Sequence, residues 1–210
     1  MNRRLLGAAL VTATSALLAA LVLPAASALL PMAVHGNTST PEPGGARAAE
    51  SVVDHNGNMH VPENYRREYE YLGSWAVAAD QQGQGSKDLH VVYASPGAAE
   101  AYKAGGHFPE GTVLVKEVFQ AVTAPMTTGT VSHADTLKGW FVMVRDTTGR
   151  HAGNKLWGDG WGWSWFDAGN PTRTTSTDYK VNCRGCHVPA QSTEWVYVNG
   201  YPPLRPEGAR

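Results

Sequence analysis

The chain has 210 residues, two cysteines and a formal net charge of -1. This length suits one globular domain with accessory termini. Hydrophobic residues make up 42% and charged residues 17%, so the chain can build a core and lacks the composition of a disordered protein. Because there is no basic excess, we expect no nucleic-acid partner. Two cysteines are also too few for the disulfide framework of a small secreted domain.

The N-terminus has the pattern of an export signal. Arg3 and Arg4 precede a long apolar run over residues 5–23, and a small-residue cleavage pattern ends at Ala28. Residues 1–28 are therefore predicted to be a signal peptide. Because the run approaches the roughly 20 residues that span a bilayer, an uncleaved membrane anchor is the alternative. Either outcome predicts a periplasmic or otherwise extracytoplasmic domain.

Three regions follow this segment. Residues 29–51 are small, polar and rich in proline and glycine, which predicts a flexible linker. A folded domain is predicted over residues 52–204, and residues 205–210 are predicted to be a tail. No internal repeat divides the domain.

The predicted elements of the domain are short. Apolar alternation predicts strands over residues 69–79, 89–94, 112–122, 140–145 and 160–166. Ser95 and Pro96 predict the N-cap and first position of a helix that Gly105 and Gly106 end. Several strands with one or two helices predict an α+β fold, an antiparallel β-sheet with a few short helices.

The strongest chemical signal is the motif CRGCH, which contains both cysteines of the chain. This is the pattern of c-type haem attachment, in which Cys183 and Cys186 each bond a porphyrin vinyl group and His187 ligates the iron. A zinc site would require four ligands, and there is no second cysteine pair. A thioredoxin-like redox pair would require a βαβ context, which the sequence does not show. A simple disulfide is the remaining alternative to haem c.

Three separated segments resemble the cytochrome P-460 family, which includes the cytochromes called c′-beta. They are GHFPEGTVLVKEV, GWFVMVRD and CRGCHVPAQSTEWVYVNGYPPL, and the resemblance extends over residues 62–204. It implies one covalently bound haem c held against a largely antiparallel sheet. It also implies a homodimer, a redox partner protein, and a small nitrogen-containing ligand or substrate.

Lys116 lies in a predicted strand whose two faces are both apolar. A lysine in such a strand is costly unless it reaches solvent, forms an ion pair or loses its charge. In the family that the chain resembles, the matching lysine is cross-linked to the porphyrin edge. A desolvated amine has a lowered pKa and is nucleophilic, which is compatible with that reaction. The alternative is an edge-strand lysine paired with Glu117 or another carboxylate.

Phe141 occupies the strand position at which, by resemblance, the hydroxylamine-oxidising members place a glutamate. Alternation puts Phe141, Met143 and Arg145 on one strand face. Phenylalanine cannot remove a proton from hydroxylamine, whereas an apolar cap admits small uncharged gases. The alternative is that Phe141 is an ordinary core residue.

Two functions therefore remain open on the sequence. The first is haem-iron redox chemistry on small nitrogen compounds, of the hydroxylamine-oxidation class. The second is binding of NO or another gas, as in the c′-beta relatives. A plain electron-transfer cytochrome is a third, and it would need a further iron ligand such as Met126 or Met143.

The remaining aromatic and imidazole side chains carry weaker signals. Trp161, Trp163 and Trp165 alternate on one strand, which predicts core packing, with a haem wall or a dimer contact as the alternatives. Six scattered histidines are expected at the surface rather than on the iron. They are His55, His60, His90, His107, His133 and His151.

Overall fold

Six strands form one antiparallel sheet in the computed structural model, which describes residues 44–205. The strands are β1 (Glu70–Ala78), β2 (Ser86–Ala94), β3 (Val113–Met126), β4 (Gly129–Arg145), β5 (Trp157–Gly158) and β6 (Trp161–Asp167). Their order across the sheet is β1-β2-β3-β4-β6-β5, and every neighbouring pair is antiparallel. This architecture confirms the predicted α+β class.

Short helices surround the sheet. They are α1 (Gly44–Glu50), α2 (Tyr65–Glu68), α3 (Ala98–Gly105), α4 (Tyr179–Asn182) and α5 (Arg184–His187). Three 3₁₀ turns follow α5, at Val188–Thr193, Val198–Gly200 and Pro202–Leu204. Within residues 44–205, no helix is both long and apolar enough to cross a bilayer.

An apolar cluster lies on each face of the sheet. Successive side chains of a strand point alternately into one cluster and the other. The front face carries Leu114, Met143 and Trp163, which pack with the C-terminal segment that holds α4 and α5. The back face carries Val115 and Val142, which pack with α1 and α2. Continuous apolar runs such as residues 113–115 follow from this two-sided burial.

The helix α3 begins differently from its prediction. Its N-cap is Gly97 in a left-handed conformation (φ 78°), without a side-chain cap. The Ser95 hydroxyl instead accepts a hydrogen bond from the backbone N–H of Val113 at 3.0 Å, so it joins the helix entrance to β3. The predicted end is confirmed, since Gly106 is the C-cap and its N–H donates to the carbonyl of Tyr102.

The N-terminal predictions fall largely outside the described residues. These do not include the predicted signal peptide or residues 29–43 of the predicted linker. The last part of that linker differs from its prediction, since residues 44–50 form α1 and bury Ala48 and Ala49 on the back-face cluster. Small alanine side chains, which looked like linker composition, are what lets this helix pack closely.

Candidate functional site

A cavity of about 360 Å³ lies between the front face of the sheet and the C-terminal segment. The predicted site residues, 71 positions apart at the extremes, meet on its walls. The sheet supplies Lys116, Phe141 and Trp163, and the C-terminal segment supplies Cys183, Cys186 and His187. Its volume lies in the range typical of small-molecule and cofactor sites.

The CRGCH motif is placed by a break between two helical turns. Asp178 caps α4 by accepting a hydrogen bond from the N–H of Lys180 at 2.9 Å. At Cys183 the backbone leaves the helical region (φ -130°), and α5 starts at the next residue. The thiol of Cys183 is buried, which raises its pKa to about 11, whereas Cys186 is exposed. Both cysteines are free, so the disulfide alternative is not formed.

His187 is held in one orientation by a backbone carbonyl. Its Nδ1 lies 2.6 Å from the carbonyl oxygen of Trp195, and a carbonyl can only accept. The Nδ1 therefore carries the proton, which leaves the lone pair of Nε2 available as a metal ligand. The ring packs edge-on against Trp163, with centroids 4.9 Å apart. Burial lowers the pKa of this imidazole, against the opposing effect of the Trp195 hydrogen bond.

Lys116 lies on the cavity wall beside Phe141. The two residues are directly paired across β3 and β4, and Nζ of Lys116 is 4.4 Å from the centroid of the Phe141 ring. Burial lowers the pKa of the Lys116 amine. Among residues 44–205 it forms no ion pair.

The alternative partner of Lys116, Glu117, points to the back face. There its carboxylate accepts hydrogen bonds from the hydroxyl of Tyr65 and, at 2.5 Å, from the guanidinium of Arg66. Trp140 in turn donates to the Tyr65 hydroxyl at 2.8 Å. The carboxylate is therefore satisfied without Lys116, and the Lys116–Glu117 pair that the sequence left open is not formed.

Phe141 is fixed in the cavity wall by Trp165. The two residues are paired across β4 and β6, and their ring centroids are 4.6 Å apart. The indole fits because Gly139 lacks a side chain: a Cβ there would lie 2.7 Å from Cζ2 of Trp165. Phe141, Met143 and Arg145 do share the front face, as alternation predicts, opposite Trp165, Trp163 and Trp161 respectively.

His90 reaches the cavity, whereas the sequence predicts a surface position for it. It lies on β2, lines the cavity and is half-buried. Burial, followed by the charge of Lys116, lowers its pKa to about 4. The period-two series His90, Val92, Ala94 was the available signal, since Val92 and Ala94 are front-face core residues.

The other candidate ligands differ in position. Met143 lines the cavity, whereas Met126 is 59% exposed near the β3–β4 turn. Of the six scattered histidines, only His90 reaches this cavity. Within the described part of the chain no carboxylate lines it either.

The geometry defines a small α+β protein with a haem-attachment motif facing an apolar cavity beneath an antiparallel sheet. The sequence model of the family Cytochrome P460 matches residues 62–198, and the chain belongs to this family. Membership implies a haem cofactor. None of the curated proteins matches the chain significantly.

The residues on the cavity wall fit a haem. Two free thiols stand next to a histidine with an available Nε2, and the surrounding wall is mostly apolar. Residues 44–205 contain no group of three His, Cys, Asp or Glu side chains suited to a bare metal ion. A porphyrin supplies four nitrogen ligands of its own, so a single protein histidine is a sufficient start for holding its iron.

Proposed function

We propose that the chain is an exported mono-haem c-type cytochrome that binds a small uncharged nitrogen ligand such as nitric oxide. Cys183 and Cys186 hold the haem covalently, and His187 is the iron ligand. When bound, the haem supplies an iron that can take a small ligand and change its oxidation state. The observation that carries the proposed ligand class is the cavity wall, where Phe141 stands and no described carboxylate is present.

The protein selects its ligand through the character of this wall. Phe141 is supported by Trp165 at 4.6 Å and by Nζ of Lys116 at 4.4 Å, so its ring is held from two sides. The part of the wall that Phe141 forms excludes water and gives no hydrogen bond to a polar ligand, whereas a diatomic gas needs none. The wall therefore favours NO or CO over hydroxylamine or water.

Ligand titration of the reduced holoprotein tests this proposal. We expect the ferrous protein to be five-coordinate, to bind NO and CO, and to oxidise hydroxylamine slowly, as followed by optical and resonance Raman spectra and a steady-state assay. A six-coordinate ferrous protein that binds neither gas would contradict it and would favour the electron-transfer function, with Met143 as the first ligand to examine.

Export and assembly belong to the same proposal. The N-terminal signal pattern supports export, since haem c is attached outside the cytoplasm, and the family resemblance supports a homodimer and a protein redox partner. Signal cleavage after Ala28 would be visible in the intact mass of the purified protein, which would retain residues 1–28 if the segment is an anchor.

Lys116 is proposed to form an additional bond to the porphyrin edge. A new C–N bond there replaces one N–H and one C–H bond and releases two protons and two electrons, so the reaction needs a two-electron oxidant such as a peroxide, which is reduced to water. The structure supports the nucleophile: burial lowers the pKa of this amine, and no described carboxylate neutralises it.

Replacing Lys116 with methionine, which has similar length but no amine, should give an ordinary haem c spectrum. Proteolysed wild-type protein should yield one haem peptide that joins the CRGCH and Lys116 fragments, as measured by mass spectrometry. Lys138→Met is the matched control, because Lys138 lies on the same sheet but pairs with Asp88 at 3.0 Å outside the cavity. A wild-type haem peptide without the Lys116 fragment, even after peroxide treatment, would contradict the cross-link.

Hydroxylamine oxidation is the second candidate, and His90 is the observation that favours it. Oxidation of hydroxylamine releases protons together with electrons, so it requires a base in the cavity. His90 is the cavity imidazole not committed to Trp195, and a pKa of about 4 keeps it neutral at physiological pH. Its neutral ring can accept a proton there, which Phe141 cannot.

Changing His90 to glutamine should lower hydroxylamine oxidation about 10²-fold if His90 is the base, since general base assistance is typically of this size. Because its pKa is lowered to about 4, the wild-type rate should stay level as pH falls from 7 to 5 and drop only near pH 4. His133→Gln, at an exposed position outside the cavity, is the control. Equal rates in all three proteins would show that His90 is not the base, whereas the absence of wild-type turnover would leave only the gas-binding function.

A further inference from the structure

The turn that follows the CRGCH segment has an unusual backbone. Glu194 and Trp195 are consecutive non-glycine residues with left-handed φ angles of 55° and 67°. Residues with a Cβ rarely adopt the left-handed region of backbone conformation, and a bulky residue there is an outlier. Such a conformation persists only when its surroundings hold it in place.

Glu194 is held by three groups from outside its own segment. Its carboxylate accepts hydrogen bonds from Nη2 of Arg145 at 2.5 Å and from the backbone N–H of Phe108 at 2.6 Å. The imidazole of His107 lies 3.3 Å away. The side chains of Glu194 and Arg145 are only 16% and 13% exposed, so this ion pair is screened little by solvent.

Arg145 is itself fixed on the front face of the sheet. It lies at the end of β4, donates to the carbonyl of Gly160 at 3.1 Å and covers the Trp161 ring at 5.1 Å. The ion pair therefore joins the turn after α5 to a rigid strand. Through this connection the position of Glu194 is set by the sheet rather than by its own short segment.

The strained turn positions the backbone carbonyl of Trp195. Trp195 donates its N–H to the carbonyl of Ala190 at 2.8 Å, and its own carbonyl accepts from Nδ1 of His187 at 2.6 Å. The buried indole packs against Trp163, with centroids 6.2 Å apart, and under the Arg184 guanidinium at 5.2 Å. The left-handed pair thus directs a backbone carbonyl at the proposed iron ligand.

We propose that Glu194 and Arg145 are positioning residues that fix the Trp195 carbonyl on His187 and thereby set the electron donation of its imidazole to the iron. This inference rests on the proposed function, in which His187 is that ligand. A short hydrogen bond from Nδ1–H gives the ring anionic character, strengthens it as a ligand and favours the oxidised iron. Weakening the Glu194–Arg145 ion pair should therefore reduce the electron donation of the His187 imidazole to the iron while leaving His187 as the ligand.

The test is the reduction potential and the iron–histidine stretching frequency of a Glu194→Gln holoprotein. We expect the ratio of reduced to oxidised iron at a fixed potential to rise about tenfold, which is about 59 mV for one electron, and the ferrous stretching frequency to fall. Glu110→Gln is the matched control. Glu110 also accepts from a backbone N–H, that of Thr147 at 2.6 Å, and from an arginine, Arg150 at 2.8 Å, but it does not contact the His187 segment. Its potential and frequency should equal those of the wild type.

Two further outcomes separate this inference from the proposed function. If Glu194→Gln accumulates no holoprotein, Arg145→Lys decides by the same measurements. It should shift them in the same direction, because a charge is kept but the separate contacts of Nη1 to Gly160 and Nη2 to Glu194 are not both available to a lysine. Wild-type values in the Glu194 and Arg145 variants would overturn the positioning role while leaving His187 as the ligand. A wild-type protein without any iron–histidine band would overturn the ligand assignment itself.

Discussion

A variant in which alanine replaces both Cys183 and Cys186 and methionine replaces Lys116 should lose all covalently held haem. Each thiol forms one thioether bond and Lys116 forms one C–N bond in the proposed attachment, so removing all three leaves only the His187 coordination, which acid breaks by protonating the imidazole. Extraction with acidified organic solvent should then move the haem into the organic phase, whereas wild-type haem should stay with the protein.

Gly185→Ala is a suitable control for this experiment. It changes the same five-residue motif but keeps both thiols, and a Cβ at position 185 would meet no heavy atom within 4 Å. The control should retain its haem through extraction. Haem that remains covalently bound in the triple variant would show that the assignment of Cys183 and Cys186 is wrong.

Replacing Phe141 with glutamate should raise hydroxylamine oxidation by roughly 10² to 10⁴-fold, the usual size of general base assistance. The new carboxylate would take the position of a ring that lines the cavity and that lies 4.4 Å from Nζ of Lys116. A carboxylate at this position can accept a proton from hydroxylamine, which a phenyl ring cannot. Steady-state assays with an artificial electron acceptor measure the change.

The variant Phe141→Leu separates the effect of the new carboxylate on the oxidation rate from the effect of losing the ring. It keeps an apolar side chain beside Trp165 and should not increase the rate. Rapid oxidation by the wild type would contradict the gas-binding proposal and would indicate a base already in the cavity. His90 is then the residue to examine, because it lines the cavity whereas His133 is exposed and lies outside the cavity wall.

The strands were predictable from the sequence where their residues are buried on alternate positions or continuously. They were less predictable where the strand is largely exposed. The prediction over residues 140–145 matches the buried end of β4, but the strand begins at Gly129. Its first ten residues are largely exposed and are held by backbone pairing with β3, whose own end reaches Met126. Backbone pairing leaves no apolar pattern in a polar segment, so the sequence did not indicate this hairpin extension.

Local sequence patterns were also insufficient where a side chain bonds to, or packs against, a segment remote in the chain. Ser95 has the residue type and position of an N-cap, yet its hydroxyl bonds to Val113 on β3. Residues 44–50 have linker composition, yet two alanines pack into the back-face cluster. In both cases the competing interaction comes from a segment remote in the chain, which propensity cannot represent.

The sequence by itself indicated the proposed chemistry of this protein, because CRGCH places two cysteines and a histidine within five consecutive positions and Lys116 lies in a strand that is apolar on both faces. Tertiary structure alone decided which other groups reach the cavity. His90 faces Lys116 only through the pairing of β2 with β3, and Glu117 is withdrawn from Lys116 by contacts to α2 on the opposite face. The Trp195 carbonyl that orients His187 has no sequence signature at all, because every residue carries a carbonyl and only the folded turn directs this one at the ring.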